Sequence, residues 1–194
     1  MLLLIGCSRT DAPSPGDPGG TPPPSTSAGR TLVKGQGPAG AVVALEPLFE
    51  HEFAAPAGPA YMDQSGQMFI PGLLTARTGQ QVEFRSSEDV LHNVRVDQAA
   101  TGAPIFNVAT PPFGRYVHAF DQPGFYNVSC DIHTTMRATI FFSEAPYVTQ
   151  IYDTGTFEFR DVVSGSYRVT GFYEGKPIDK TLQVTGEETS LKIP

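Results

Sequence analysis

Cys130-Asp131-Ile132-His133-Thr134-Thr135-Met136 sets a thiol, an imidazole and a thioether three residues apart in turn. A strand-like run, Phe125-Tyr126-Asn127-Val128, precedes this stretch, and Arg137-Ala138-Thr139-Ile140-Phe141-Phe142 follows it. A loop joining two strands of a sandwich can aim all three side chains at one point. Upstream, Leu91-His92-Asn93-Val94 opens another strand and offers a second imidazole. Two imidazoles and a thiolate in a plane, with a long axial thioether, suit one copper ion cycling between Cu(I) and Cu(II). Soft sulfur favours Cu(I), and imidazole suits both states. Taken singly, Cys130 reads as a small buried hydrophobe, His133 as a surface histidine and Met136 as core filler. The set of four, at this spacing, points to a metal. The remaining histidines, His51 and His118, read as surface or loop residues, and Met62 and Met68 as packing.

The elements that must position these side chains are β-strands. From about residue 40 the pattern has period two, broken by turn residues. Ala41-Val42-Val43-Ala44-Leu45 reads as a buried strand. Val82-Glu83-Phe84, Val94-Arg95-Val96, Tyr116 to Phe120, Phe157-Glu158-Phe159, Tyr167-Arg168-Val169 and Leu182-Gln183-Val184 follow, with turns such as Gln122-Pro123-Gly124 and Asp153-Thr154-Gly155 between them. Many short strands at this spacing predict an all-β chain of sandwich or barrel type. Gly 20 and Pro 18 argue against long helices.

Cys-x-x-His-x-x-Met after a Pro-Gly-x-Tyr-type strand resembles the ligand loop of amicyanin, among the plastocyanin-like cupredoxins, and His92-Asn93-Val94 resembles the His-Asn-Val of the same group. The resemblance covers about residues 60–143 and implies a Greek-key β-sandwich with a type 1 copper site. It implies His92, Cys130, His133 and Met136 as metal ligands. It gives Asn93 the task of tying the two ligand loops together by hydrogen bonds. Asp131, beside Cys130, would favour Cu(II) and lower the potential if its carboxylate points inward. Residues 146–194 lie past the last cupredoxin strand. Thr154-Gly155-Thr156-Phe157-Glu158-Phe159 and Val162-Val163-Ser164-Gly165-Ser166-Tyr167 resemble the carboxypeptidase-regulatory-like, transthyretin-type β-domain. The stretch 31–50 resembles that domain's opening strands. The expected arrangement is a small split sandwich over 31–50 and 146–194 with a cupredoxin domain, 60–145, inserted into it. Two units in series is the other arrangement.

Leu4-Ile5-Gly6-Cys7 resembles the lipobox of bacterial lipoproteins, which implies lipidation at Cys7. Residues 1–7 would then be the remnant of a lipoprotein signal. Residues 8–30, rich in Pro, Gly and Ser, would be a disordered tether, because little in them can be buried against the ordering entropy. The expected location is the periplasmic side of a bacterial cell envelope, with attachment to the membrane through the lipid. A formal charge of −7 argues against a nucleic-acid partner, since phosphate binding needs clustered Lys and Arg. Cys7 and Cys130 sit in different settings and are not read as a disulfide.

The leading functional expectation is an electron-transfer protein with an unknown redox partner protein. Copper storage or delivery is the alternative, as is a non-redox binding or structural β-protein of the envelope. Catalysis is not expected. Copper oxidases and nitrite reductases need further His-rich sites, which four histidines, two already assigned, do not supply. No Ser-His-Asp, P-loop or zinc-hydrolase arrangement is present either.

Overall fold

The computed structural model describes residues 29–194, and among them no helix forms. The lipobox Cys7 and nearly all of the expected tether lie outside the described residues. The tether boundary at 30 needs correction: Arg30 already opens the first strand and pairs with Val163. The strands are β1 (Arg30–Gln36), β2 (Val42–Pro47), β3 (Ala60–Ser65), β4 (Met68–Ile70), β5 (Leu73–Arg77), β6 (Gln81–Ser86), β7 (His92–Gln98) and β8 (Pro104–Thr110). They continue as β9 (Arg115–Ala119), β10 (Gly124–Ser129), β11 (Arg137–Ser143), β12 (Tyr147–Gln150), β13 (Thr156–Val163), β14 (Gly165–Tyr173), β15 (Lys176–Val184) and β16 (Glu188–Lys192).

These strands form four sheets around two hydrophobic cores. One core lies between sheet β13-β1-β16 and sheet β12-β2-β14-β15. It gathers Val33, Val43, Leu45, Phe157, Phe159, Tyr167 and Val169. The other lies between sheet β4-β3-β6-β9 and sheet β5-β11-β10-β7-β8, and gathers Met62, Phe84, Val94, Val128, Ile140 and Phe142. The chain therefore leaves the first sandwich after β2, builds the second from β3 to β11, and returns at β12. Exit and return are neighbours: Tyr147 on β12 pairs with Leu45 on β2.

Period two explains most of the sorting between core and solvent. The exceptions are informative. In β2, Val43 and Leu45 face the first core. Val42 and Ala44, on the opposite face, are just as buried yet belong to neither core. In β11, Ile140 and Phe142 face the second core, whereas Phe141 turns the other way, 4.7 Å from Phe125 and 6.2 Å from Phe172 of β14. Phe125 and Phe172 are themselves 5.5 Å apart, edge to face. The two inner sheets thus pack against one another through their outer faces. A strand buried on both faces reads as a continuous apolar run, as β2 and β11 do.

Tyr167 is the largest fully buried side chain of the first core. Its hydroxyl donates to Val163 O at 2.7 Å, and its ring meets Phe49 edge-on at 5.4 Å. Burial, and then the nearby Tyr147, push its phenol well above the ordinary tyrosine range. Tyr167→Phe should cost about 1 kcal/mol, one net hydrogen bond. Tyr167→Ala should cost about 3–5 kcal/mol. Urea unfolding with an unchanged m-value checks both.

Candidate metal centre

The second sandwich closes at one end with the loop between β10 and β11. Cys130 follows the last residue of β10 and Met136 precedes the first of β11. Met136 N donates to His133 O at 2.9 Å and Cys130 N to Met136 O at 3.3 Å, so the loop folds back on itself in one tight turn. His92 opens β7, which neighbours β10 in the same sheet. The result is convergence. Cys130 Sγ lies 4.0 Å from His92 Nδ1 and 3.9 Å from His133 Nδ1, and the two imidazole nitrogens are 3.1 Å apart. A point in the plane of these three atoms lies about 2.1 Å from each, within the usual ~2.0–2.3 Å for first-row metal bonds to imidazole and thiolate. Among the described residues these three are the one group of His, Cys, Asp and Glu so gathered. Met136 is 1% exposed and shares the core cluster with Cys130. His92 and Cys130 are buried; His133 alone of the three is partly open to solvent.

The donor set fits copper chemically. His92 Nε2 is 2.7 Å from Glu88 Oε1, so the ring N–H donates to the carboxylate and leaves the Nδ1 lone pair facing the cluster. His133 N donates to Cys130 Sγ at 3.4 Å, which stabilises negative charge on sulfur.

Asn93 Oδ1 accepts from Asp131 N at 2.7 Å and Ile132 N at 3.4 Å, and it lies 3.3 Å from Cys130 Sγ. The start of β7 is tied in this way to the ligand loop. Asp131 does not point inward. Its half-exposed carboxylate accepts from Asn107 Nδ2 at 2.8 Å and faces Arg95 Nη1 at 3.9 Å. The inward carboxylate considered from the sequence is therefore not present at the donors.

His51 is exposed in the segment after β2, but His118 is not a simple surface residue. It lies among Phe106 at 4.7 Å and Phe120 at 4.9 Å, and burial lowers its pKa against an opposing pull from Asp121. Met62 is core, as packing requires, while Met68 is 57% exposed. On the short strand β4 Phe69 takes the inward position, and alternation turns Met68 out.

Sequence reasoning missed Glu88. Its carboxylate also accepts from Gln67 N at 3.1 Å and Gly66 N at 3.0 Å. Gly66 and Gln67, both at positive φ, form the two-residue turn of the β3–β4 hairpin and present both amides to it. The Gln67 amide foremost, then His92 and the Gly66 amide, hold the Glu88 carboxyl below its ordinary value against partial desolvation. A carboxylate four residues before a candidate metal-ligating histidine was the available signal.

No family model matches this sequence, and no curated protein matches it. Among solved structures, amicyanin from Paracoccus versutus is similar at 18% identity and a TM-score of 0.41, over 52% of this chain and 98% of that one. A purple cupredoxin from Nitrosopumilus maritimus is similar at 21% identity and a TM-score of 0.39, over 43% of this chain and 99% of that one. A copper-containing nitrite reductase from Thermus scotoductus is similar at 25% identity and a TM-score of 0.41, over 51% of this chain and 25% of that one.

Glu88→Ala leaves the buried His92 Nε2 without its acceptor and so weakens the preference for a free Nδ1 lone pair at the cluster. Titration of the variant with Cu(II) should show affinity about 10–100-fold weaker than wild type. Equal affinity would mean that Glu88 only stabilises the hairpin.

Proposed function

We propose that this protein binds one copper ion through His92, Cys130, His133 and Met136 and uses it to carry single electrons. The observation that supports the reading is the convergence of two imidazole nitrogens and one thiol within 4.8 Å at the end of a packed sandwich. Bound there, copper would supply a one-electron Cu(I)/Cu(II) couple. The chain's own contribution is rigidity and exclusion of water. His92, Cys130 and Met136 are almost fully buried, so their positions are over-determined by the core around them. His133 is the donor open to a partner. Leu91 at 50%, Phe113 at 70% and Ile132 at 49% exposure lie at the same end: two flank the histidines in sequence, and the Phe113 loop is joined to β6 by Ser86 N donating to Gly114 O. An exposed apolar rim around a part-exposed donor suits transient docking of a redox partner protein.

The reading extends to the rest of the chain. The sandwich of β1, β2 and β12–β16 is taken as a carboxypeptidase-regulatory-like, transthyretin-type domain. It grips the copper domain at both of its ends and restricts how that domain is oriented. Lipidation at Cys7 would place the protein on the periplasmic side of a bacterial envelope. The protein is read as a carrier, not a catalyst. Copper storage or delivery would use the same donors, and rapid loss of Cu(I) to a chelator would favour it. Wild-type protein that stays metal-free when grown with ample copper would favour a structural role.

Cys130→Ser should abolish any intense visible absorption of the copper-loaded protein while the fold survives, because the thiolate supplies the charge-transfer band. An unchanged spectrum rules Cys130 out as a ligand. Met136→Leu should keep copper and raise the reduction potential, since loss of a weak axial donor destabilises Cu(II) more than Cu(I). No shift, or a downward one, by voltammetry would assign Met136 to packing alone. In cells expressing the chain behind a complete bacterial signal, wild type should fractionate with membranes and Cys7→Ala should not.

A further inference from the structure

On the sheet face beside the donors lies a closed ring of side-chain hydrogen bonds that the ligand set does not itself require. Asn93 Nδ2 donates to Asn107 Oδ1 at 2.7 Å and to Asp131 Oδ2 at 3.3 Å. Asn107 Nδ2 donates to the same Asp131 oxygen at 2.8 Å. Asn93 Oδ1 closes the ring by accepting the Asp131 amide at 2.7 Å. Asn107 stands on β8, opposite Arg95 in the register, and Arg95 Nε is fixed by Asp97 Oδ2 at 3.0 Å while its Nη1 faces Asp131.

A carboxamide has nearly the same shape in its two orientations, so its neighbours decide which atom points where. Asn93 can hold the ligand loop only with Oδ1 toward the Asp131 and Ile132 amides. Turned over, its Nδ2 would oppose two N–H donors. That orientation requires an acceptor on the other side, and Asn107 provides one only while its own Nδ2 is committed elsewhere. Asp131 supplies that commitment because an ionised carboxylate can only accept. Orientation is therefore passed from the carboxylate to Asn107, from Asn107 to Asn93, and from Asn93 back to the backbone of the residue beside Cys130.

We infer that Asn107 and Asp131 are positioning residues for the metal centre: together they lock the Asn93 carboxamide and so hold the Cys130 loop against β7. The inference rests on the copper reading for its purpose, but the lock itself exists without metal. It also accounts for a carboxylate next to Cys130 that faces away from the donors.

Amide hydrogen exchange of the metal-free, full-length protein tests it. In both Asn107→Leu and Asp131→Ala the backbone amide of residue 131 should exchange about fivefold faster or more, as expected for loss of one hydrogen bond, with the amides of β13–β15 unchanged. Asp131→Asn, whose carboxamide can donate as well as accept and so fixes Asn107 only in part, should exchange faster than wild type and more slowly than Asp131→Ala. Asp131 is half exposed, so its variants remain readable if Asn107→Leu does not fold. Unaltered exchange of the residue 131 amide in either Asn107→Leu or Asp131→Ala, or acceleration shared equally with β13–β15, overturns the inference. In copper-loaded protein, Asn107→Leu should also shift the visible band that Cys130 generates; an unmoved band would likewise count against it. Colourless wild-type protein would sink the copper reading and leave the exchange result standing.

Discussion

Two strands, β2 and β11, bury both of their faces, and the arrangement of the whole molecule depends on that. Each faces a core on one side and the other sandwich on the opposite side. Val42 and Ala44 of β2 face away from their own core, as Phe141 of β11 does from its own. Burial of such side chains contributes roughly 1.5–3 kcal/mol each for the larger ones. Polar residues at those positions would leave two sandwiches joined only by their connections. Apolar residues make four stacked layers. The pairing of Tyr147 with Leu45 adds a second constraint, since the strand that leaves the first sandwich and the strand that returns to it are neighbours in one sheet.

The candidate metal centre sits on one of these packed sandwiches. Its candidate donors come from the start of β7 and from the loop between β10 and β11, and the His92 ring and the loop backbone are held by groups outside the donor set. Glu88 fixes the His92 ring, Asn93 fixes the loop amides, and the β3–β4 turn fixes Glu88. None of these contacts is strong alone, at about 1 kcal/mol net for an ordinary hydrogen bond and somewhat more where a charge takes part. Their value lies in geometry. A buried amide or carboxylate with all its partners has one favourable orientation, and a donor tied to it inherits that orientation.

Much of this was legible from residue types and spacing. The strand pattern and the four candidate donors could be read from the chain, and the Asn93 tie from its resemblance to the cupredoxin His-Asn-Val. Cys130, His133 and Met136 are three apart, and short-range spacing survives folding because a tight loop has few conformations. Glu88 and Asn107 were not singled out. Glu88 lies only four residues from His92, but the turn that holds it comes from residues more than twenty positions earlier, and Asn107 acts from an edge strand, β8, whose polar and apolar positions carry no feature of their own. Asp131 shows the same limit from the other side. Its place beside Cys130 is local, but whether it faces the candidate donors depends on Asn107 and Arg95, which only the sheet brings near.

The sequence by itself determined the secondary structure class and the side-chain types of the candidate donors, because alternation and side-chain type are local properties. Tertiary structure alone decided which strands share a core. Residues such as Val43 and Val94 carry the same apolar signal, and nothing in that signal names a partner. Tertiary structure also decided which polar side chains support the donors. A hydrogen bond needs two atoms within about 3 Å in a suitable direction, and for residues far apart in the chain that condition is met only once the sheets have packed.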